Sequence, residues 1–328
     1  MIKNFMCKRI SHFLFVACMG FLPSLADAQD KYPSRPIKIV VGSEAGSAPD
    51  ILARAISVEM GATLGQSVIV ENKAGATGTI GASYVVSSAS DGYTLLMGTV
   101  SNIALAPAFY PVKYDPVKSF AHIAMVASVP LVLVASNASG MQNLAQITTK
   151  AKAEAGTMNF ASPGIGGPQH LAGVLLQKSI GSSLLHIPYK SGGAAMTAVA
   201  SGEVQLAFAG IPAAAGLIKG NKVRPIFVTT SKRSSALSDV PTSAESGLAG
   251  FEIDNWHGIF APTGISIEVR VLLEQAIQKS LNSVSLKEQF LKVGAEPMFL
   301  PNKQLEAYVT SEALRWSKVI TENKIKAE

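Results

Sequence analysis

The sequence predicts an α/β fold built in two halves, and three observations support that prediction. Short runs of β-branched residues alternate with Ala-rich amphipathic stretches, a pattern typical of a parallel or mixed sheet covered by helices. Of the 328 residues, 48% are hydrophobic and 15% are charged, so the chain can bury a large core and is not disordered. Composition breaks near 128–130 and 255–257 divide the alternation.

The first half begins with a β-branched run at 37–41, which predicts a strand. Apolar residues then recur near helical spacing over 49–64 and predict the first helix. The elements predicted next are a strand at 67–70, a helix at 79–88 and a strand at 94–97.

The same alternation continues beyond the first break. The predicted strands lie at 132–134, 158–161, 184–187, 204–208 and 223–228. The helices predicted between them lie at 143–155, 169–179 and 194–201. Two further helices are predicted at the C-terminal end, at 267–282 and 302–323.

The N-terminal segment 1–28 has the pattern of a cleaved export signal. Lys3, Lys8 and Arg9 precede an apolar stretch at 13–22, and a small-x-small sequence ends at Ala28. The apolar stretch is only about half of the ~20 residues that a membrane span needs. We therefore expect a mature, soluble chain in the periplasm of a Gram-negative-type cell.

Both cysteines, Cys7 and Cys18, lie inside this segment, so the mature chain would contain none. Disulfides, thiolate metal sites and a cysteine nucleophile are thereby excluded together. Lipidation at Cys18 is the alternative processing route, although Phe15 stands where such a site prefers leucine.

The charge of the chain indicates no nucleic-acid partner. Without the signal, 25 basic and 21 acidic residues leave a net charge of +4. The densest basic run is the pair Lys232 and Arg233, too short for a phosphate-binding stripe.

Three small, polar loops follow predicted strands, where ligands bind in open α/β sheets. In the first, at 42–50, Ser47 and Asp50 fit a helix capping box, so Asp50 is either a cap or part of a site that offers backbone N–H groups to a carboxylate. The second, at 160–168, contains three glycines and is either a tight turn or a place of close approach to a ligand. In the third, at 98–102, Ser101 and Asn102 either cap the next helix or face the cleft.

Other motifs point away from catalysis and cofactors. The glycines at 75–81 lack the Lys-Ser/Thr ending of a P-loop, and we interpret them as a turn and helix start. The loop at 160–168 does not complete GxGxxG, because Gln169 stands at the third glycine position. The histidines show no metal-ligand spacing, and no G-x-S-x-G elbow is present. We predict no metal, no cofactor and no catalytic residue.

Together, these segments resemble the extracytoplasmic solute receptors of the tripartite tricarboxylate transporter family, often called Bug receptors. The resemblance covers essentially the whole mature chain. The segments that carry it are YPSRPI (32–37), DILAR (50–54), VENK (70–73), DGYTLL (91–96), YDPVKSF (114–120), QHLAG (169–173), HIPYK (186–190), KRS (232–234) and DVPT (239–242).

The resemblance implies a periplasmic-binding-protein fold of type II-like form, with two α/β lobes around a ligand cleft and two crossovers. It places lobe 1 at 29–130 plus 253–328 and lobe 2 at 131–252. It also implies a monomer that binds a small carboxylate (an organic, amino or aromatic acid) and delivers it to integral membrane permease subunits. Such receptors hold the carboxylate mainly with backbone groups of the first and second loops.

Carried onto this sequence, the candidate ligand-binding residues are Ser43, Glu44, Ala45, Gly46, Ser47, Ser101, Asn102, Ser162, Pro163, Gly164, Gly166, Gly167, His170 and Gly210. We expect the N–H groups of Gly166 and Gly167 to face the ligand. The sequence departs from the family in the first loop, where Gly42-Ser43-Glu44-Ala45-Gly46 stands instead of Pro-Phe and a proline/glycine run, and at Ala209-Gly210, where Asp-Asn is common. The identity of the carboxylate is therefore open.

Two other functions use the same cleft. The bound form could be read by a membrane sensor kinase instead of a permease. A periplasmic hydrolase would need a base, for which His170 is the candidate, and nothing in the sequence requires one.

Overall fold

A computed structural model describes residues 32–325. The predicted export signal at 1–28 and both cysteines lie outside the described residues. Within residues 32–325 the chain forms α-helices and one mixed β-sheet, which confirms the predicted α/β class.

The described part of the chain contains ten strands. They are β1 (Ile37–Val41), β2 (Val68–Asn72), β3 (Thr94–Thr99), β4 (Phe120–Ser136), β5 (Asn159–Ser162), β6 (Leu185–Pro188), β7 (Leu206–Gly210), β8 (Val223–Val228), β9 (Asp254–Pro262) and β10 (Glu296–Pro301). Their order in the sheet is β2-β1-β3-β9-β4-β7-β5-β6, and β8 and β10 also pair with β4.

Ten α-helices connect and cover these strands in the same part of the chain. They are α1 (Ala48–Leu64), α2 (Thr79–Val86), α3 (Ala106–Phe109), α4 (Leu144–Ala153), α5 (Pro168–Ile180), α6 (Gly192–Ser201), α7 (Ile211–Lys219), α8 (Ile267–Leu281), α9 (Val284–Lys292) and α10 (Asn302–Glu322). A π-helical turn, Val100–Leu105, runs directly into α3, and a 3-10 turn, Ala76–Gly78, precedes α2.

Strand β4 is continuous through the first predicted break. Its residues up to Pro130 pair with β9 and β10, whereas its residues from Leu131 onward pair with β7 and β8. We call β1, β2, β3, β9, β10 and the start of β4 the first sheet section, and β5 to β8 with the end of β4 the second sheet section. The predicted short strand at 132–134 is thus the end of a 17-residue strand.

The second predicted break also lies inside a strand. Asn255, Trp256 and His257 belong to β9, which inserts antiparallel between β3 and β4. The chain therefore crosses between the two sheet sections twice, once within the paired strand β4 and once directly before the paired strand β9. The division into lobes at 130/131 and 252/253 stays a prediction.

Apolar side chains buried on both faces of the first sheet section hold the C-terminal helices against it. Helix α8 packs on α1, and α10 packs on β4 and the π-helical turn. Trp316 of α10 and Trp256 of β9 are both fully buried, and Trp256 meets Tyr308 of α10 edge to face at 6.1 Å. Burying two tryptophans contributes several kcal/mol, because each removes 150–250 Å² from water.

In the part of the chain that the structure describes, none of the helices combines the length and apolar composition that a membrane crossing requires.

Candidate ligand-binding cleft

A cavity of about 460 Å³ lies where loops of the two sheet sections meet. Segments after β1, before α2 and after β3 line it from the first section, and the start of α5 lines it from the second. Its lining residues are Gly42, Ser43, Glu44, Ala48, Pro49, Ala74, Gly75, Thr77, Gly78, Thr99, Ser101, Asn102, Pro168, Gln169, Asn255 and His257.

The loop after β1 is held by a buried carboxylate. Asp50, 2% exposed, accepts hydrogen bonds from the Gly46 N–H (2.9 Å) and the Arg54 Nε (3.0 Å) on Oδ2, and from Asn72 Nδ2 (2.9 Å) on Oδ1. Asn72 also donates to the Ser43 carbonyl at 3.0 Å. The end of β2 and the first turn of α1 thereby fix both ends of this loop.

The charge of Asp50 is stabilised by these partners. Burial raises the pKa of its carboxyl, but hydrogen bonds from Arg54, Gly46 and Asn72 together hold that pKa below its usual value. The predicted capping box does not form, because Asp50 bonds to Gly46 and not to the Ser47 N–H. The Ser47 hydroxyl instead pairs with the Ser43 hydroxyl at 2.6 Å.

Glycine contacts bring the three loops of the first sheet section together. A Cβ on Gly42 would lie 2.7 Å from the Gly78 carbonyl oxygen, and a Cβ on Gly81 would lie 3.0 Å from the Gly42 Cα. A Cβ on Gly78 would lie 3.1 Å from the Asn102 side chain. No larger residue fits at Gly42 without moving backbone, so this packing sets the shape of the cavity wall.

The segment before α2 has an unusual backbone. Ala76, Thr77 and Gly78 are consecutive residues in the left-handed region, with φ values of 46°, 56° and 85°. Left-handed non-glycine residues cost about 1 kcal/mol or more each and concentrate at binding sites. Thr77 and Gly78 both line the cavity.

The loop after β3 ends in a reciprocal cap. Thr99 Oγ1 accepts from the Asn102 N–H (3.2 Å), and Asn102 Oδ1 accepts from the Thr99 N–H (2.8 Å). Asn102 therefore caps the π-helical turn through its oxygen, and its amide nitrogen stays uncommitted within residues 32–325. Asn102 is 2% exposed and lines the cavity beside Ser101.

The glycine loop of the second sheet section is bonded largely to itself. The Ser162 hydroxyl donates to the Gly164 carbonyl (2.8 Å) and lies within hydrogen-bonding distance of His186 Nε2 (2.7 Å). His186 stacks on His170 with ring centroids 4.2 Å apart. Burial, followed by the neighbouring His170, lowers the pKa of His186 to about 4, and burial also lowers the pKa of His170. Both rings are neutral at physiological pH.

The Gly166 N–H, which we expect to face a ligand, has a hydrogen-bond partner within its own segment of this structure. It donates to His170 Nδ1 over 3.1 Å. A Cβ on Gly166 would lie 3.5 Å from the ring of Phe109, which places this loop against the end of α3 in the first sheet section. The loop therefore closes one side of the cleft, and Pro168 and Gln169 line the cavity in its place.

Of the predicted site residues, Ser43, Glu44, Ser101 and Asn102 line the cavity. The others lie outside its lining: Ala45, Gly46, Ser47, Pro163, Gly164, Gly166 and Gly167 in the loops, Ser162 and Gly210 at the ends of β5 and β7, and His170 in α5. Sequence reasoning did not find Thr77, Asn255 or His257. Polar residues spaced two apart in an apolar strand were the available signal for Asn255 and His257.

Four helical segments begin at the cavity. Ala48 and Pro49 start α1, Gly78 precedes α2, Thr99 caps the π-helical turn, and Pro168 and Gln169 start α5. First-turn N–H groups lack partners within their own helix and carry partial positive charge. Among the described lining residues Glu44 is the one charged side chain, and it is exposed. The site can therefore hold an anion by dipoles rather than by cations.

Across residues 32–325, no three His, Cys, Asp or Glu side chains are grouped closely enough to hold a metal ion.

Comparison with known proteins gives a consistent match. The family model described as "Tripartite tricarboxylate transporter family receptor" matches residues 52–325. The protein BugT of Bordetella pertussis is 32% identical over 311 residues, covering 94% of this chain and 95% of that protein.

Solved structures of periplasmic binding proteins have the same fold. A Rhodopseudomonas palustris protein solved with adipate is 30% identical, with a TM-score of 0.77 over 90% of this chain and 99% of that one. MatC from Rhodopseudomonas palustris, solved with bound malate, is 29% identical, with a TM-score of 0.73 over 88% and 100%. The expected type II-like periplasmic-binding-protein fold is confirmed by these likenesses.

Proposed function

Because this chain belongs to the tripartite tricarboxylate transporter receptor family, we propose that it is a periplasmic solute-binding receptor for a small carboxylate. It holds the carboxylate in the cavity described above and delivers it, as a monomer, to the membrane permease subunits of such a transporter. The observation that carries this proposal is the convergence of four helix starts on one cavity whose described lining has no cation.

Helix N-termini and direct hydrogen bonds together can supply the binding free energy that micromolar affinity requires. A helix N-terminus stabilises an anion by about 0.3–1 kcal/mol, so four of them supply at most a few kcal/mol. Micromolar affinity requires about 8 kcal/mol. Direct hydrogen bonds to a charged group, at roughly 1.5–3 kcal/mol each, must supply the rest. Ser101, Thr77 and the Asn102 amide are the side chains placed to donate them.

The relatives support the class of ligand. Two proteins of the same fold, each about 30% identical to this chain, were solved with adipate and with malate, both small organic acids. A cavity of about 460 Å³ has room for a molecule of that size and its bridging waters.

The hydrogen bonds around Ser162 argue against the hydrolase alternative. The Ser162 hydroxyl is bonded to the Gly164 carbonyl, and both Ser162 and His186 lie outside the cavity lining. His170 Nδ1 is likewise occupied by the Gly166 N–H. Neither ring is placed to act as a base toward the cavity.

Binding is tested by calorimetry on the mature protein with succinate, malate, adipate, glutamate, benzoate and citrate. We expect at least one acid to bind with micromolar or better affinity and its amide analogue to bind at least 100-fold more weakly. Failure of all six, or equal binding of the amide analogue, would overturn the proposal.

Delivery is tested by uptake of the bound acid, radiolabelled, in cells that lack the receptor gene. Uptake should fall to background and return when the gene is restored. Unchanged uptake together with proven binding would favour the sensory output instead.

A further inference from the structure

A buried histidine forms part of the floor of the cavity. His257 is 2% exposed, lies on β9 opposite Thr99 of β3, and lines the cavity. Asn255 lines it two residues earlier, because alternate residues of a strand face the same side. Trp256, between them, points into the apolar core.

The imidazole of His257 is not fully used by the protein. Its Nδ1 is buried and has no hydrogen-bond partner within residues 32–325. Burial lowers the pKa of His257 to about 4, and a hydrogen bond with the Asn255 backbone opposes that shift, so the ring is neutral at physiological pH. A neutral imidazole carries one donor and one acceptor nitrogen. Leaving a buried polar atom unpaired costs about 1–3 kcal/mol, which a bound partner can recover.

The polar groups near His257 are uncharged as well. The side chains of Asn255, Thr77 and Ser101 make no hydrogen bond within the described chain, and the Asn102 amide nitrogen is uncommitted. A second carboxylate placed among them would be desolvated without a cation in the described lining. An ammonium group would be desolvated without an anion, because Glu44 is exposed to solvent at the rim. A hydroxyl group both donates and accepts, so it suits either nitrogen of a neutral imidazole.

We infer that the cavity selects a carboxylate that also carries a hydroxyl group, and that His257 is the residue that recognises the hydroxyl. The inference rests on the proposed function, since the carboxylate of the same ligand is held by the helix starts. It adds to the proposed function the hydroxyl group of the ligand and the residue, His257, that recognises this hydroxyl.

The test is calorimetry with ligand pairs that differ by one hydroxyl, lactate with propionate and malate with succinate. For at least one pair, the unmodified protein should bind the hydroxylated member at least tenfold more tightly, because an unpaired buried polar group penalises the analogue. His257→Phe should reduce that preference to within twofold. His257→Gln, which keeps a donor and an acceptor, should retain most of it.

His122→Phe is the matched control. His122 is also 2% exposed, also has an unpartnered ring nitrogen, and pairs with β9, yet it does not line the cavity. The His122→Phe variant should prefer the hydroxylated acid to the same degree as the unmodified protein does.

Equal affinity for both members of each pair, or a preference that survives His257→Phe, would overturn the inference while leaving carboxylate binding intact. Tighter binding of aspartate than of malate would also overturn it, because it would show selection of an ammonium group. Failure of every acid to bind would overturn the proposed function itself.

Discussion

Ser128 of β4 donates a hydrogen bond to Asp254 of β9 over 2.5 Å, beside the point where β4 passes from one sheet section to the other. Burial raises the pKa of Asp254 to about 7. The Ser128 hydrogen bond opposes that rise, and Glu312, Glu296 and Glu252 add to it. A carboxyl that takes up a proton near neutral pH therefore precedes Asn255 on β9, on the side of the strand that faces away from the cavity.

The raised pKa of Asp254 predicts the pH dependence of stability. Between about pH 4 and 7 the folded chain holds a proton that the unfolded chain has released, so stability falls as pH rises through this window. Asp254→Asn should remove the fall and make the protein more stable at pH 8 by roughly 1–3 kcal/mol, with little change at pH 4. Urea unfolding at pH 4, 6 and 8 measures the effect.

Asp239→Asn is the control, because Asp239 is exposed. It should follow the unmodified protein at all three pH values. If the stability of Asp254→Asn and of the unmodified protein changed with pH in parallel, Asp254 would not be the source of the pH dependence.

Gly42→Ala should both destabilise the protein and weaken ligand binding. Its Cβ would lie 2.7 Å from the Gly78 carbonyl oxygen, and only backbone movement can relieve that contact. We expect a loss of about 1–3 kcal/mol of unfolding free energy and at least a tenfold loss of affinity for the best acid. Thermal unfolding and calorimetry measure the two effects.

The matched control is Gly216→Ala. Gly216 lies inside α7 with no atom within 4 Å of a Cβ, so alanine should raise stability by about 0.5–1 kcal/mol. If both substitutions change the unfolding free energy in the same direction, the contact between Gly42 and Gly78 is not the cause of the loss in Gly42→Ala.

Asn72→Ala should weaken binding more than it weakens the fold. Asn72 joins Asp50 to the Ser43 carbonyl, so its loss frees the loop after β1 at the cost of about 1 kcal/mol of stability. We expect a roughly tenfold loss of carboxylate affinity. In Asn137→Ala, which removes one surface hydrogen bond to Asn221, affinity should not change. Equal affinities in the two variants would exclude the loop anchor from the site.

Glu44→Gln should change the order of ligands. Removing the one charge in the described lining should strengthen succinate binding about two- to fivefold at low salt, since repulsion between like charges disappears. Lactate carries a single charge, and its affinity should change less than twofold. Glu288→Gln on the exposed side of α9 should alter neither. A ranking unchanged by Glu44→Gln would show that this residue takes no part in selection.

Local sequence patterns predicted β1, α1, β3 and α5 because each is a strong periodic run. They did not predict β9 as a strand. It follows a Pro/Ser/Gly-rich stretch, and its place in the sheet depends on pairing with Leu96 and Ala121, more than 130 residues away. Helices α7 and α9 and strand β10 were missed in the same way, since each is short and stabilised by tertiary packing.

The candidate site was predictable to a similar degree. Ser43 and Asn102 follow parallel strands, and that position alone predicted them. The network of Asp50, Arg54 and Asn72 was not predicted, because its members are contributed by α1 and β2 and meet only in three dimensions. His257 reaches the cavity through the register of β9, which no local pattern specifies.

The insertion of β9 between β3 and β4 has a consequence for biosynthesis. A nascent chain that has not yet reached residue 254 has all of β1 to β4 but exposes the unpaired edges of β3 and β4, both lined by buried apolar residues. The first sheet section can close only when the last quarter of the chain is available for pairing. Until β9 is in place, these open strand edges can pair with other chains, so partly folded molecules are the ones exposed to aggregation.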